Sequence, residues 1–257
     1  MTSSNGSDDT VTTIVLISID DTDDLESRGT GDVAELLAAG IEANGWGKCG
    51  RVTRHQLLIH PDVPYTSHNS SMCFLAEVEA DSLEQVTDYC CATLAVEAVE
   101  ASDPGLCVAA LDKLSGAEAL ITYGREAKKR VFTKDEAYAT ALRCGAHLSE
   151  HGGTGQGVIG ALAGVALRLG GNDGRFKGRL HVPSADGVTS VNEIQRSGID
   201  EVRSLDGEVL AFDTLVYVGE AVKPVLLDSM SVLLVVPADD SESVAWKACD
   251  RKTLKNY

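Results

Sequence analysis

No two of the seven cysteines form a CxxC pair, and their number is odd. Scattered thiols of this kind argue against structural zinc and against a disulfide framework, and read as small core hydrophobes of a reduced, cytoplasmic protein. Aromatic residues are sparse, at 5%. No apolar run approaches the roughly 20 residues that a bilayer span needs, so no membrane partner is expected. The opening MTSSNGSDDT has neither a basic region nor an apolar core, which excludes a secretory signal; residues 1–11 read as a disordered tail. Basic residues are scarce too: 22 Lys and Arg face 39 Asp and Glu, for a net charge of −17. Phosphate backbones repel such a chain unless it carries a local basic face or enough bound cations. The charge therefore argues against nucleic acid and for a small-molecule substrate. The densest basic run, REAKKR (125–130), and the C-terminal DRKTLKNY are both short, and the first reads as a solvated helix face. The oligomeric state is left open, a homo-oligomer included.

What is present suffices for a core, since 44% of the 257 residues are hydrophobic. The β-branched run 12–19 reads as a buried strand, and apolar spacing after it predicts a helix over 30–44. Strands are expected at 51–59, 72–79 and 105–111, with an amphipathic helix over 82–100. Ser115 with Glu118 and Thr133 with Glu136 read as capping boxes opening helices 115–130 and 133–149. A glycine loop and an apolar helix follow. Strands are then expected near 175–182, 199–204 and 208–218, with a hairpin at Asp206-Gly207, and one or two more in PVLLDSMSVLLVVP. No internal repeat is visible. The pattern predicts a mixed α/β fold: a strand–helix alternating module over 12–170 and a β-rich section over 171–257 packed on it.

Asp20, Asp21, Asp23 and Asp24 crowd the end of the first strand in IVLISIDDTDD. Ligands of open α/β sheets collect beyond strand ends. Carboxylates there suit Mg²⁺, a hard ion that keeps waters and substrate phosphates and offsets their mutual repulsion. Asp-rich loops also form Asx turns and cap helices, and both readings stand.

Gly152, Gly153, Gly155 and Gly157 precede a helix start, whose free N–H groups and dipole favour an anion; Thr154 and Gln156 can donate to phosphate oxygens. The loop is neither a Walker A sequence nor a dinucleotide fingerprint. It serves equally as an inter-helix connection, and Gly160 and Gly164 read as close-packing positions. An acidic metal loop and a glycine-rich anion loop in one chain are complementary halves of a nucleoside-triphosphate site. Between them, RHQLLIHPDVPYTSHNSS offers Arg54, Tyr65, His68 and Asn69 as substrate-contacting residues, Tyr65 and His68 by stacking or hydrogen bonding. The histidine spacing fits no compact metal site.

In that order, SIDDTDD, RHQLLIHPDVPYTSHNSS and GTGQGVIGAL resemble three segments of the archaeal isoleucine-tRNA agmatinylcytidine synthetases (TiaS). Those carry a GIDDTDS loop, an R-L-x-x-L-N-P-x-[IV]-P-W-x-T-R-G-N segment and a G-x-[IV]-GA[IL] loop-helix, and the resemblance covers about 12–170. It implies a kinase-like module binding ATP and Mg²⁺, in an enzyme that activates an anticodon cytidine for displacement by agmatine. By resemblance Asp20, Asp21 and Asp23 hold magnesium, with Asp21 also catalytic, and the loop from Gly153 through Thr154, Gly155 and Gln156 to Gly157 faces the nucleotide. The family's GMCTT stretch, with a threonine that becomes phosphorylated, is here RGTGDVA, so Thr30 and Asp32 are the nearest catalytic candidates. Without CxxC pairs, no zinc ribbon or OB-fold to grip tRNA is expected. The resulting expectation is an Mg-dependent, ATP-binding phosphoryl- or nucleotidyl-transferase acting on a small molecule. The alternatives are a non-catalytic nucleotide sensor and, against the net charge, a tRNA-modifying enzyme.

Overall fold

The computed structural model describes residues 11–24, 27–61, 63, 69–239 and 244–257. The tail expected at 1–11 lies outside them except for Val11.

The first strand, β1 (Thr12–Asp20), is apolar almost throughout because both of its faces are covered. Val15, Ile17 and Ile19 point into one core with Val33, Leu37 and Ile41 of helix α1 (Thr30–Ala43). Strands β2 (Gly47–Cys49), β3 (Thr53–Gln56) and β4 (Ser70–Glu79) follow, then α2 (Leu83–Glu97), whose Val86, Cys90 and Leu94 complete that core. Next come β5 (Gly105–Ala110), α3 (Ala117–Ala127), α4 (Lys134–Cys144), β6 (His147–Glu150) and α5 (Gly157–Gly170). Leu16 points the other way, into a second core with Leu120 of α3, Ala137 of α4 and Val158 and Leu162 of α5. This alternation along one strand builds a three-layer unit, helices on both faces of a sheet. The strands pair antiparallel in the order β6-β5-β1-β4-β3.

Short elements make up the rest: β7 (Arg175–Phe176), β8 (Val188–Ser190), α6 (Val191–Arg196), β9 (Glu201–Ser204), β10 (Leu215–Tyr217), β11 (Val225–Leu227), β12 (Met230–Pro237) and β13 (Trp246–Ala248). They enclose apolar clusters of their own around Ile194, Ile199, Val202 and Leu233, and around Val225, Val232 and Leu254. Strand β7 pairs with β3 on one side and β11 on the other, so one sheet runs through both parts of the chain.

Several expectations change. The helix read over 133–149 ends at Cys144, where Gly145 turns left-handed (φ 75°) and releases the chain into β6. Thr133 and Glu136 do form a reciprocal capping box. Ser115 does not cap: its hydroxyl donates to the Arg143 carbonyl at 2.9 Å, and Gly116 opens α3 instead. The strand expected at 51–59 shortens to β3, and that at 175–182 to β7 plus a single bridge between Leu180 and Val222. All seven cysteines are free thiols, with Cys73, Cys90, Cys107 and Cys144 buried. No described helix is long and apolar enough to cross a membrane.

Candidate functional site

A cavity of about 1280 Å³ opens where β1, β3 and α5 meet the strands that follow residue 170. Asp20, Asp21, Asp23, Thr30 and Asp32 line it at the end of β1 and the start of α1. Arg54 and Asn69 line it from β3 and the start of β4, and Gln156 and Gly157 from the start of α5. Residues far apart in sequence thus converge on one space.

At the acidic end, Asp20 is nine-tenths buried, beneath α5. Burial first, then the neighbouring Asp21 and Asp23 carboxylates, push its pKa up to about 8 against a smaller lowering from the Asp21 N–H. Asp21 adopts a left-handed backbone (φ 53°), and burial with Asp103 and Asp23 raises it to about 6. Asp23 Oδ1 accepts from the Thr30 hydroxyl at 2.7 Å, and that hydroxyl also receives the Thr22 N–H at 3.4 Å. Thr22 Oγ1 is buried without a partner among the described residues. Asp32 is turned to Lys177 Nζ at 2.5 Å, which Glu35 shares at 2.8 Å.

Among the described residues no three His, Cys, Asp or Glu side chains converge closely enough to form a metal cage. Mg²⁺ does not require one, because it is held by one or two carboxylates and takes its remaining ligands from water and phosphate. Uncompensated carboxylates beside an orphaned buried hydroxyl fit such an ion. They do not fit a closed, all-protein site.

The glycine loop divides. Gln156 and Gly157 line the cavity, whereas Gly153, Thr154 and Gly155 are not part of its lining. Thr154 gives its N–H and hydroxyl to the Asp103 carboxylate, the hydroxyl at 2.6 Å, and its carbonyl accepts from Lys134 at 2.7 Å. Gly153 and Gly155 are left-handed (φ 55° and 73°), and a Cβ on Gly155 would lie 1.6 Å from Glu150 Oε2. Their glycine character is used in close packing. The Gly157 N–H is itself taken by the Asp103 carbonyl at 3.1 Å.

Arg54 Nε donates to Ser70 Oγ at 2.9 Å and Nη2 to Gln56 Oε1 at 3.4 Å. Asn69 pins the mouth of the polar loop, donating to the Leu58 carbonyl at 2.6 Å. Tyr65 and His68 lie outside the described residues. His55 is a core residue, bonded to Thr53 Oγ1 at 2.8 Å and to Asp173 Oδ1 at 3.1 Å, and burial holds its pKa below the ordinary imidazole value.

Sequence reasoning missed most of the cavity's basic lining. Arg175, Arg179, Lys223, Arg251 and Lys255 line the cavity from β7, the loops around it and the C-terminal segment. Only the run DRKTLKNY, source of Arg251 and Lys255, signalled them. The denser run is spent on carboxylates: Arg125 pairs with Glu118 at 3.7 Å, Lys129 with Glu126 at 3.0 Å, Arg130 with Glu136 at 2.9 Å, and Lys128 with Asp173.

No family model and no curated protein matches the chain significantly. Solved structures do. A tRNA fluorescent labeling enzyme is 26% identical over 68% of this chain and 40% of its own, with a TM-score of 0.53. The complex of TiaS with an isoleucine tRNA and ATP is 22% identical over 84% of this chain and 51% of its own, also at 0.53. The complex of TiaS with the same tRNA, AMPCPP and agmatine is 19% identical over 92% and 59%, again at 0.53. The chain therefore spans roughly half the length of these proteins. They overturn the expectation that nucleic acid is not a partner, since the similar structures are of tRNA enzymes. The physical reason is that a net charge of −17 is a sum over the whole chain and is blind to placement, whereas Arg54, Arg175, Arg179, Lys223, Arg251 and Lys255 line one cavity. The chain has a TiaS-like mixed α/β fold.

Proposed function

We propose that the protein is an ATP-using group-transfer enzyme whose second substrate is an RNA nucleotide. One observation carries this reading: Asp20, Asp21 and Asp23, the start of α5 and a wall of basic side chains line a single cavity. Of the similar structures, one holds tRNA with ATP, another holds tRNA with AMPCPP and agmatine, and a third is of a tRNA labeling enzyme. In this reading one or two of the three aspartates hold Mg²⁺, which when bound neutralises charge on the nucleotide's phosphates. Thr30 orients the Asp23 carboxylate through its 2.7 Å hydrogen bond. Gln156 directs its amide at the bound nucleotide, while Gly157 lacks a side chain because a Cβ there would lie 2.1 Å from the Asp103 carbonyl, which packs the start of α5 against β5. Arg54 and Asn69 face the second substrate. Rate enhancement rests on positioning and on charge neutralisation.

Asp21→Asn tests the assignment, since it removes a charge from the half-buried rim of the acidic end and keeps the shape. Titration calorimetry is expected to show Mg-dependent ATP binding in the wild type and its loss in the variant, at an unchanged melting temperature. Undiminished binding by the variant sinks the reading. Incubation with labelled ATP and bulk tRNA then separates an enzyme from a nucleotide sensor, which binds without turnover.

A further inference from the structure

Arg54 and Arg175 are directly opposed residues of the antiparallel pair β3–β7. Opposed side chains on one face of such a pair lie about 5 Å apart at Cβ, and like charges there destabilise the sheet. Lys223 and Arg251 join them on the cavity wall. Among the described residues none of the four has a carboxylate partner: Arg54 bonds Ser70 and Gln56, and Lys223 Nζ donates to the Gly178 carbonyl at 2.8 Å. The one carboxylate lining this end, Asp250, accepts from the Thr253 N–H at 2.8 Å. Burial and the surrounding arginines together push Lys223 down to about 8.

In a chain with 39 acidic residues, four mutually repelling cations without acids are not explained by folding. Three of them, Arg54, Arg175 and Lys223, are half-buried; Arg251 is exposed, and exposed Arg179 and Lys255 line the same cavity. Six cations of one cavity, some half-buried and some exposed, suit an extended polyanion better than a compact one. The cavity, at about 1280 Å³, also exceeds the roughly 300–1000 Å³ of ordinary small-ligand sites. Guanidinium forks match phosphate oxygens in pairs, and their charge survives at any physiological pH.

We propose that Arg54, Arg175, Lys223 and Arg251 form a phosphodiester-binding subsite that seats the backbone of a single-stranded RNA segment, its target nucleotide reaching across the cavity toward the aspartates. The direction of reach rests on the ATP-site reading above; the subsite itself does not. Of the cations in the sequence-visible run REAKKR only Arg130 lines the cavity, and its guanidinium is paired with Glu136 at 2.9 Å, so the run is left out of the subsite.

Fluorescence anisotropy with a labelled single-stranded oligoribonucleotide tests this, alongside Mg-ATP titrations of the same proteins. Arg54→Gln, Arg175→Gln and Arg251→Gln are each expected to weaken RNA binding about tenfold, as loss of a charge-assisted hydrogen bond does. Each also lowers the slope of log affinity against log salt by about 0.7. Mg-ATP binding stays within about twofold, and Arg125→Gln, in the paired run, changes neither affinity. Arg175→Lys retains most of the RNA binding. Should a strand variant fail to fold, Arg251→Gln on the exposed C-terminal segment decides alone. RNA binding that survives these variants, or falls equally with Arg125→Gln, overturns the subsite. So does a loss of ATP rather than RNA, which would give the cations to the nucleotide's own phosphates. A wild type that binds RNA but no ATP would instead overturn the ATP-site reading and leave the subsite standing.

Discussion

Gly160 of α5 stands where any side chain would strike Asp20: a Cβ there would lie 1.6 Å from Asp20 Oδ2. The helix rests on β1 through this gap, which is why a carboxylate can be buried beneath it. Gly160→Ala is therefore expected to expel the Asp20 carboxylate from its place. Overpacking of this kind costs about 1–3 kcal/mol, measurable by urea unfolding. Mg-ATP affinity falls at least tenfold by calorimetry. Unchanged affinity in a folded variant would detach Asp20 from the nucleotide site.

Thr30 is buried and gives its hydroxyl to Asp23, and in the proposed site it positions that carboxylate. Thr30→Val keeps the volume and removes the bond, at a cost of about 1–2 kcal/mol in stability. Magnesium-dependent ATP affinity drops several-fold, and Thr30→Ser restores it. Intact mass after incubation with ATP stays unchanged. A phosphate found on Thr30 would make it an acceptor and reverse this assignment.

The legible parts of the chain are those governed by local pattern. The β1 run announced a buried strand, and Thr133-x-x-Glu136 announced its helix start, because apolar period and capping chemistry act over a few residues. The Asp20–Asp23 loop was visible as a candidate because its charges are adjacent in sequence. What stayed hidden depends on pairing across the fold. Arg175 is an isolated cation until β7 sets it against Arg54, and REAKKR, read as a solvated helix face, shows its partners Glu118, Glu126, Glu136 and Asp173 only in the fold. The surroundings of the glycine loop were hidden for a related reason. Asp103, 50 residues upstream of Gly153 and unremarkable in sequence, captures Thr154 and the Gly157 N–H.

Lys223 gives the basic wall a pH dependence. Its folded pKa is about 8 against an ordinary value of 10.5. Between those values the unfolded chain holds a proton that the folded chain has lost, so this group's contribution to stability rises with pH across that window. RNA binding runs the opposite way, since neutral Lys223 no longer attracts phosphate. Affinity for the oligoribonucleotide is expected to fall several-fold from pH 7 to 9, and Lys223→Arg should flatten the profile. An identical pH profile in the variant would show that Lys223 does not face the anion.

Asp173 holds two elements together, accepting from Lys128 of the segment after α3 and bonding buried His55 of β3 at 3.1 Å. Its side chain is 16% exposed. The hydrogen bonds from His55 and Lys128 outweigh burial and hold its pKa below the ordinary carboxylate value. Asp173→Asn leaves Lys128 without its counter-charge and is expected to cost about 2–4 kcal/mol by urea unfolding at pH 7. A carboxylate with a depressed folded pKa stabilises above its unfolded value, near 4, and stops doing so as pH falls through the folded one. The gap between wild type and Asp173→Asn should therefore hold steady from pH 8 to 5 and close progressively below pH 4. His55 loses stability below pH 6.5 in both proteins, because the unfolded imidazole protonates first, but the Asp173 carboxylate raises the His55 pKa and so limits that loss in the wild type alone. The comparison is therefore made in a His55→Gln background, which removes this contribution from both. A gap that persisted unchanged to pH 3 would mean that the shape of residue 173, and not its charge, ties β3 to the helical layer.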